Sequence, residues 1–210
     1  MPPAKKLSPE TGRKSAYVAR NRMSIINAAL EVFAENGLHT TMDQVAEASG
    51  MAMSTVYKHF KDKDELVATV LIEKFIEWEA WVTEKNAANT DPLEQLVFPM
   101  RMFVRMTQTH PSQAKVLLSH FGLMASITPM LEAQLINHIK DLKKAKILTL
   151  EDPTTVAKNM HAVLTFAVIN QITNPKAAAS DADLSIRTAL SMLGISDAKA
   201  KKLTEAKLPF

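Results

Sequence analysis

Between residues 37 and 63 the chain reads GLHTTMDQVAEASGMAMSTVYKHFKDK, a tract rich in hydroxyls, with a phenol, two imidazoles and several ammonium groups. On a helical wheel at about 100° per residue, Ala52, Met53, Val56 and Phe60 fall within one quadrant. Ser54, Tyr57 and Lys58 lie opposite, flanked by Thr55 and His59. Such a face suits phosphate oxygens and base edges, because it donates hydrogen bonds without requiring a large charge to be desolvated. It offers no pair of groups poised as general acid and base. Lys61 and Lys63 follow at the mouth of the next helix, whose free N–H groups also favour an anion.

Elsewhere the chemistry is sparse. The six His (39, 59, 110, 120, 138, 161) stand singly, with no HExxH and no pair four apart, so a metal site is not expected. No GxSxG, Walker or GxGxxG pattern occurs, and neither a cofactor nor an enzymatic activity is expected. The absence of Cys excludes disulfides, thiolate metal sites and thiol redox switches. No stretch approaches the roughly 18–20 apolar residues of a membrane helix, and no signal-peptide core follows Met1. A cytoplasmic location without membrane contact is the expectation.

The elements that position the 37–63 tract are helices. Only 5 Gly accompany abundant Ala, Leu, Met and Lys, and no alternating apolar run bounded by hairpin residues occurs, so no sheet is predicted. Ile26, Ala29, Leu30 and Phe33 form one stripe of a first helix over about 15–36, ended by Asn36-Gly37. Short helices over about 41–49 and 52–60, separated by Gly50, complete a helix-turn-helix over 15–62. Capping residues precede Pro at Asp91-Pro92, Thr128-Pro129 and Asp152-Pro153, with a weaker version at His110-Pro111. Acidic or Thr-led capping patterns begin at Asp62 and Thr40. With the long helix over about 63–86, these starts predict helices at about 92–108, 111–124, 129–146, 153–173 and 181–193, and a terminal helix from Ser196-Asp197. The fold class is therefore all-α, with a helix-turn-helix domain followed by a helical domain over 63–210.

Residues 1–22 hold Lys5, Lys6, Arg13, Lys14, Arg20 and Arg22 against Glu10 alone, about +5 of an overall +3. Residues 1–14 read as a basic flexible arm of the kind that meets a polyanion.

Thr40-Thr41, Gln44-Val45-Ala46, Ser49-Gly50 and the tract from Thr55 to Leu66 resemble the DNA-binding domain of the TetR family of regulators. The resemblance covers about 50 residues. It implies that Thr41, Thr55, Lys58, His59 and Lys63 contact phosphates of a double-stranded operator, and that Met42, Met53, Ser54 and Tyr57 face bases in the major groove. Two departures stand out. Ala52 replaces a usual capping residue, so the recognition helix starts less firmly. Met42 and Met53 are thioethers, which cannot make the bidentate contacts that read G or A. Specificity should then rest on Tyr57, Ser54, apolar contact with thymine methyls, and the arm.

The same resemblance implies a small-molecule effector enclosed by the later helices. Trp81, Phe103, Met106, Phe121, Met124 and His161 are the candidate lining residues, and their apolar character points to a largely apolar ligand. The helices over 153–173 and 181–193 carry apolar residues on more than one face, among them Val156, Met160, Val163 and Leu184, so they must bury a second surface. In TetR-like proteins that surface is a homodimer interface, which sets two recognition helices about one DNA turn apart on a pseudo-palindrome. Repression relieved by ligand is the implied behaviour. The competing expectation is a sequence-tolerant architectural DNA-binding protein without a ligand.

Overall fold

The computed structural model describes residues 9–122, 128–174 and 176–208, and every regular element among them is helical. The chain divides into two compact units, Met1–Val70 and Leu71–Phe210.

In the first unit, α1 (Pro9–Asn36) leads through a 3-10 turn at Gly37–His39 to α2 (Met42–Ser49), α3 (Met53–His59) and the start of α4 (Lys63–Asn86). Ile25, Ile26, Ala29, Val32 and Phe33 of α1 are buried, as are Val45, Ala46, Val56 and Phe60. Leu30, expected in this stripe, is only half-buried, and Val32 joins the buried face instead. The Arg22 guanidinium lies 4.8 Å from the Phe60 ring centroid, a cation–π contact tying α1 to the end of α3.

The short helices are held by local bonds. Buried Thr40 donates its hydroxyl to the Val32 carbonyl at 3.2 Å. With Thr40 so engaged, Thr41 caps α2: its Oγ1 accepts from the Gln44 N–H at 3.3 Å, and Gln44 Oε1 accepts from the Thr41 N–H at 2.9 Å. This box sits one residue later than the Thr40 pattern predicted. Gly50, at φ +65°, closes α2 in the left-handed region that disfavours other residues. At α4 the Glu65 N–H donates to Asp62 Oδ1 at 2.9 Å, while Glu65 Oε2 accepts from the Lys61 N–H at 2.7 Å, one residue before the cap.

The second unit comprises the rest of α4, then α5 (Pro92–Val104), α6 (Met106–Thr109), α7 (Pro111–Ser119), α8 (Thr128–Lys144), α9 (Pro153–Thr173), α10 (Ala179–Ser191) and α11 (Asp197–Glu205). Its centre is α9, which packs against α5, α6, α7, α8 and α10. The Asp-Pro starts behave as predicted: Asp91 accepts from the N–H groups of Leu93 and Glu94, and Asp152 from those of Thr154 and Thr155. Pro99 inside α5 has no N–H for the Gln95 carbonyl, and the Asn86 side-chain amide donates to that oxygen instead, at 2.9 Å.

Three boundaries differ from expectation. α1 begins at Pro9, so residues 9–14 of the expected flexible arm are helical; residues 1–8 lie outside the described residues. The helix expected over 92–108 breaks at Arg105, which adopts φ −102° and ψ 14°. Its buried guanidinium reaches Asp183 of α10 at 2.6 Å, and Arg101 Nε lies 3.7 Å from the other oxygen of the same carboxylate. A tertiary ion pair thus outweighs the helical pattern. The helix expected over 111–124 ends at Ser119.

Candidate nucleic-acid interface and interior cavity

α3 keeps the amphipathic division that its spacing predicted. Val56 and Phe60 are buried, while Ser54, Tyr57 and Lys58 are exposed, Tyr57 at 50%. Thr55, His59 and Met53 are half-buried along the flanks. Ala52, expected on the apolar side, is exposed as the N-cap and makes no side-chain capping bond, as an Ala there must. Thr41 is exposed, with its hydroxyl already engaged in the α2 capping box. Lys63 donates its Nζ to the Leu38 carbonyl at 2.8 Å, which fixes its ammonium beside the 3-10 turn. Met42 departs from its expected place. Only 8% exposed, its thioether belongs to the buried side of α2 with Val45 and Ala46 rather than to an outer face, because the cap at Thr41 turns the first α2 residue inward.

Within the second unit a cavity of about 120 Å³ opens between α4, α5, α8 and α9. Its walls are aromatic on one side. Phe75 and Trp78 lie with ring centroids 5.6 Å apart, and Trp78 meets Phe103 edge-on at 6.0 Å. Polar groups enter from α8 and α9: Gln134, His138 and His161. Burial pushes the His138 imidazole below its ordinary range, opposed by Asp141 and by a hydrogen bond to the Pro92 backbone. His161 Nδ1 stands 3.5 Å from Glu132 Oε1.

Of the expected lining residues, Phe103 and His161 border this cavity. Trp81 does not; it packs edge-on against His110, with centroids 5.0 Å apart. Met106 is buried in the general core. Phe121 is exposed and borders a shallower depression with His161 and Phe166. Met124 lies outside the described residues. Sequence reasoning missed Trp78, although Phe75, Trp78 and Val82 mark one buried stripe of α4 at helical spacing and Trp81 falls off it.

Residues 25–70 match the family model of bacterial regulatory proteins, tetR family. The match lies within the first unit, Met1–Val70, and makes that region similar to the regulators of this family. Among TetR-like relatives, the HTH-type transcriptional regulator RutR of Escherichia coli O157:H7 is 25% identical over 135 residues, 63% of this chain and 61% of RutR. The chain thus spans under two thirds of the length of that relative. The fatty acid metabolism regulator protein of Bacillus subtilis (strain 168) is 41% identical over 71 residues, 31% of this chain and 37% of that protein. Among solved structures, RolR in complex with its ligand resorcinol superposes with a TM-score of 0.74 at 17% identity, over 93% of this chain and 98% of RolR. The fatty acid degradation regulator FadR from Bacillus halodurans gives 0.68 at 20% identity, over 90% of this chain and 97% of its own. At such identities the structural likeness establishes the TetR fold alone. The family match ends at Val70, the last residue of the first unit.

Within the second unit, α9 and α10 pack together with Ala157, Met160, Leu164, Ile186 and Leu190 buried. The same two helices leave Phe166 72% and Leu184 55% exposed, an apolar surface beyond the one they bury internally. Among the described residues, no helix is long and apolar enough to cross a membrane.

Proposed function

We propose that the chain is a ligand-responsive DNA-binding repressor that acts as a homodimer on a pseudo-palindromic operator. The observation that carries the reading is the split of α3, with Val56 and Phe60 anchored inside and Ser54, Tyr57 and Lys58 presented outside. In that role Lys58 and Lys63 act on phosphates, with Thr41, Thr55 and His59 donating at closer range. Ser54 and Tyr57 read base edges, and Met53 contributes apolar contact with thymine methyls. Domain roles follow: residues 15–62 bind DNA and residues 63–210 sense and dimerise. The exposed Phe166 and Leu184 on α9 and α10 support dimerisation through those helices, which would place two α3 helices roughly 34–36 Å apart. A bacterial regulator acting on an operator works in the cytoplasm.

Effector binding occupies the cavity bounded by Phe75, Trp78, Phe103 and His161. Resorcinol is the ligand of RolR, whose fold this chain shares, and supports a small occupant here. The α4 helix has Lys63 at its first turn and Trp78 in the cavity wall, so a ligand that prefers one position of α4 biases DNA affinity. It does so only by the difference between its affinities for DNA-bound and free protein.

Footprinting of genomic fragments by the purified protein, with specific and non-specific competitor DNA, tests the reading. A protected pseudo-palindrome resistant to non-specific competitor is the expected result. Equal protection of all sequences, lost steeply with salt, would mean an architectural DNA-binding protein instead.

A further inference from the structure

We infer that residues 14–20 of α1 are a second DNA-contacting surface, a helical overhang whose side chains meet backbone phosphates outside the bases read by α3. The reading above assigns DNA contacts only to residues 41–63; this surface lies beyond them and rests on that reading for the place of the duplex. Every residue from Lys14 to Arg20 is exposed, although all of them are helical. The buried stripe of α1 begins only at Ile25. The helix therefore runs on for several turns past the core that holds it, with no face of residues 14–20 packed in their own unit.

Charge names the partner. The stretch reads KSAYVAR, so its only charges are the cations of Lys14 and Arg20. Neither forms an ion pair among the described residues. Ser15 and Tyr17, the latter 58% exposed, add hydroxyl donors. Cations and hydroxyls without an acid suit a row of phosphates. Position agrees with charge. The Arg22 guanidinium covers the Phe60 ring at the end of α3, 4.8 Å from its centroid. Steps of four residues back from Arg22 reach Val18 and then Lys14, which share that side of the helix. The side of α1 that covers the end of α3 thus continues past it, and Lys14 stands about 12 Å beyond Arg22 along the helix axis. That distance is roughly three to four base pairs of duplex at about 3.4 Å each. With α3 in the major groove, the overhang can reach phosphates that α3 itself does not touch. Such contacts add affinity and salt dependence without adding sequence preference.

Gel-shift titrations of the full-length protein test this, on the footprinted pseudo-palindrome with long flanks and with the flanks trimmed away. The double substitution Lys14→Gln/Arg20→Gln removes both charges from exposed helical positions, so its thermal midpoint should match wild type. On the flanked duplex it should bind about tenfold more weakly at low salt. Its slope of log K against log salt should be shallower by about 1.8 per protomer, at roughly 0.9 for each phosphate given up. On the trimmed duplex the two proteins should agree within about twofold, and Lys14→Arg/Arg20→Lys, which keeps the charges, should follow wild type on both. Equal affinity and slope on the flanked duplex, or equal losses on both duplexes, overturns the inference. A protein that protects no preferred sequence, yet shows the slope difference on a random duplex, refutes the operator reading and keeps this surface. A protected pseudo-palindrome without any slope difference does the reverse.

Discussion

In the N-terminal unit Tyr57, Ser54 and Lys58 stand exposed on one short helix, with the Val56 and Phe60 side chains of its other face buried. In the C-terminal unit Trp78 and His161 border a cavity assembled from four helices, α4, α5, α8 and α9. The first arrangement separates stability from function across the two faces of a helix. The second merges them, because the walls of the cavity are also the core. Substitutions should therefore fall into separate classes in residues 9–70 and into mixed ones beyond.

Two changes should do the most damage. Phe60→Ala removes a fully buried ring and its contact with Arg22, and should lower stability by about 3–5 kcal/mol in urea unfolding, abolishing operator binding with it. Asp183→Asn strips the shared carboxylate from two buried guanidiniums, Arg101 and Arg105, and should cost a similar amount, about 3–5 kcal/mol. Hydrogen exchange should show the loss in α5 and α10. If either variant unfolds at the wild-type midpoint, the anchoring described for its unit is wrong.

Tyr57→Ala should show the contrast most sharply. With a half-exposed ring it should change stability by less than about 0.5 kcal/mol, yet weaken specific operator binding by about 1–3 kcal/mol in a gel-shift titration. A Tyr57→Ala protein with lowered stability and intact DNA affinity would erase the distinction between the two faces. Gly50→Ala should be unfavourable by about 1 kcal/mol through its left-handed backbone alone, since an added Cβ meets nothing within 4 Å. Thermal unfolding would measure it.

The smallest effect is a pH dependence confined to the C-terminal unit. Burial holds the imidazoles of His110 and His138 below their ordinary range, so below a pH of roughly 6.5 the unfolded chain takes up protons that the folded one refuses. Stability is present in full above that pH and falls as pH drops through it. The urea midpoint should decline between pH 7.5 and 5.5, and His138→Phe should flatten the slope if it folds.

The same contrast explains what the sequence could reveal. The helices and most of their starts were readable, because Asp91, Asp152 and the 3.6-residue stripes are local signals. The outer face of α3 was readable for the same reason, since which side of an amphipathic helix meets solvent is encoded within seven residues. Met42 was misplaced because its orientation depends on which of two adjacent threonines caps α2, and Thr40 is claimed by a carbonyl eight residues back. The break at Arg105 depends on Asp183, 78 residues away. Cavity walls are non-local in the same sense. Phe103 and His161 were found, but Trp81 was preferred to Trp78 although the stripe through Phe75 and Val82 pointed to the latter.

Pro99 has a mechanical consequence. It borders the cavity, and it removes one rung from the hydrogen-bond ladder of α5 at that point. The vacated oxygen of Gln95 is held by a single amide from Asn86, at the last residue of α4. A guest that presses on Pro99 therefore pushes against the one stretch of α5 that lacks its own reinforcement, and the strut that resists it belongs to the helix whose other end carries Lys63.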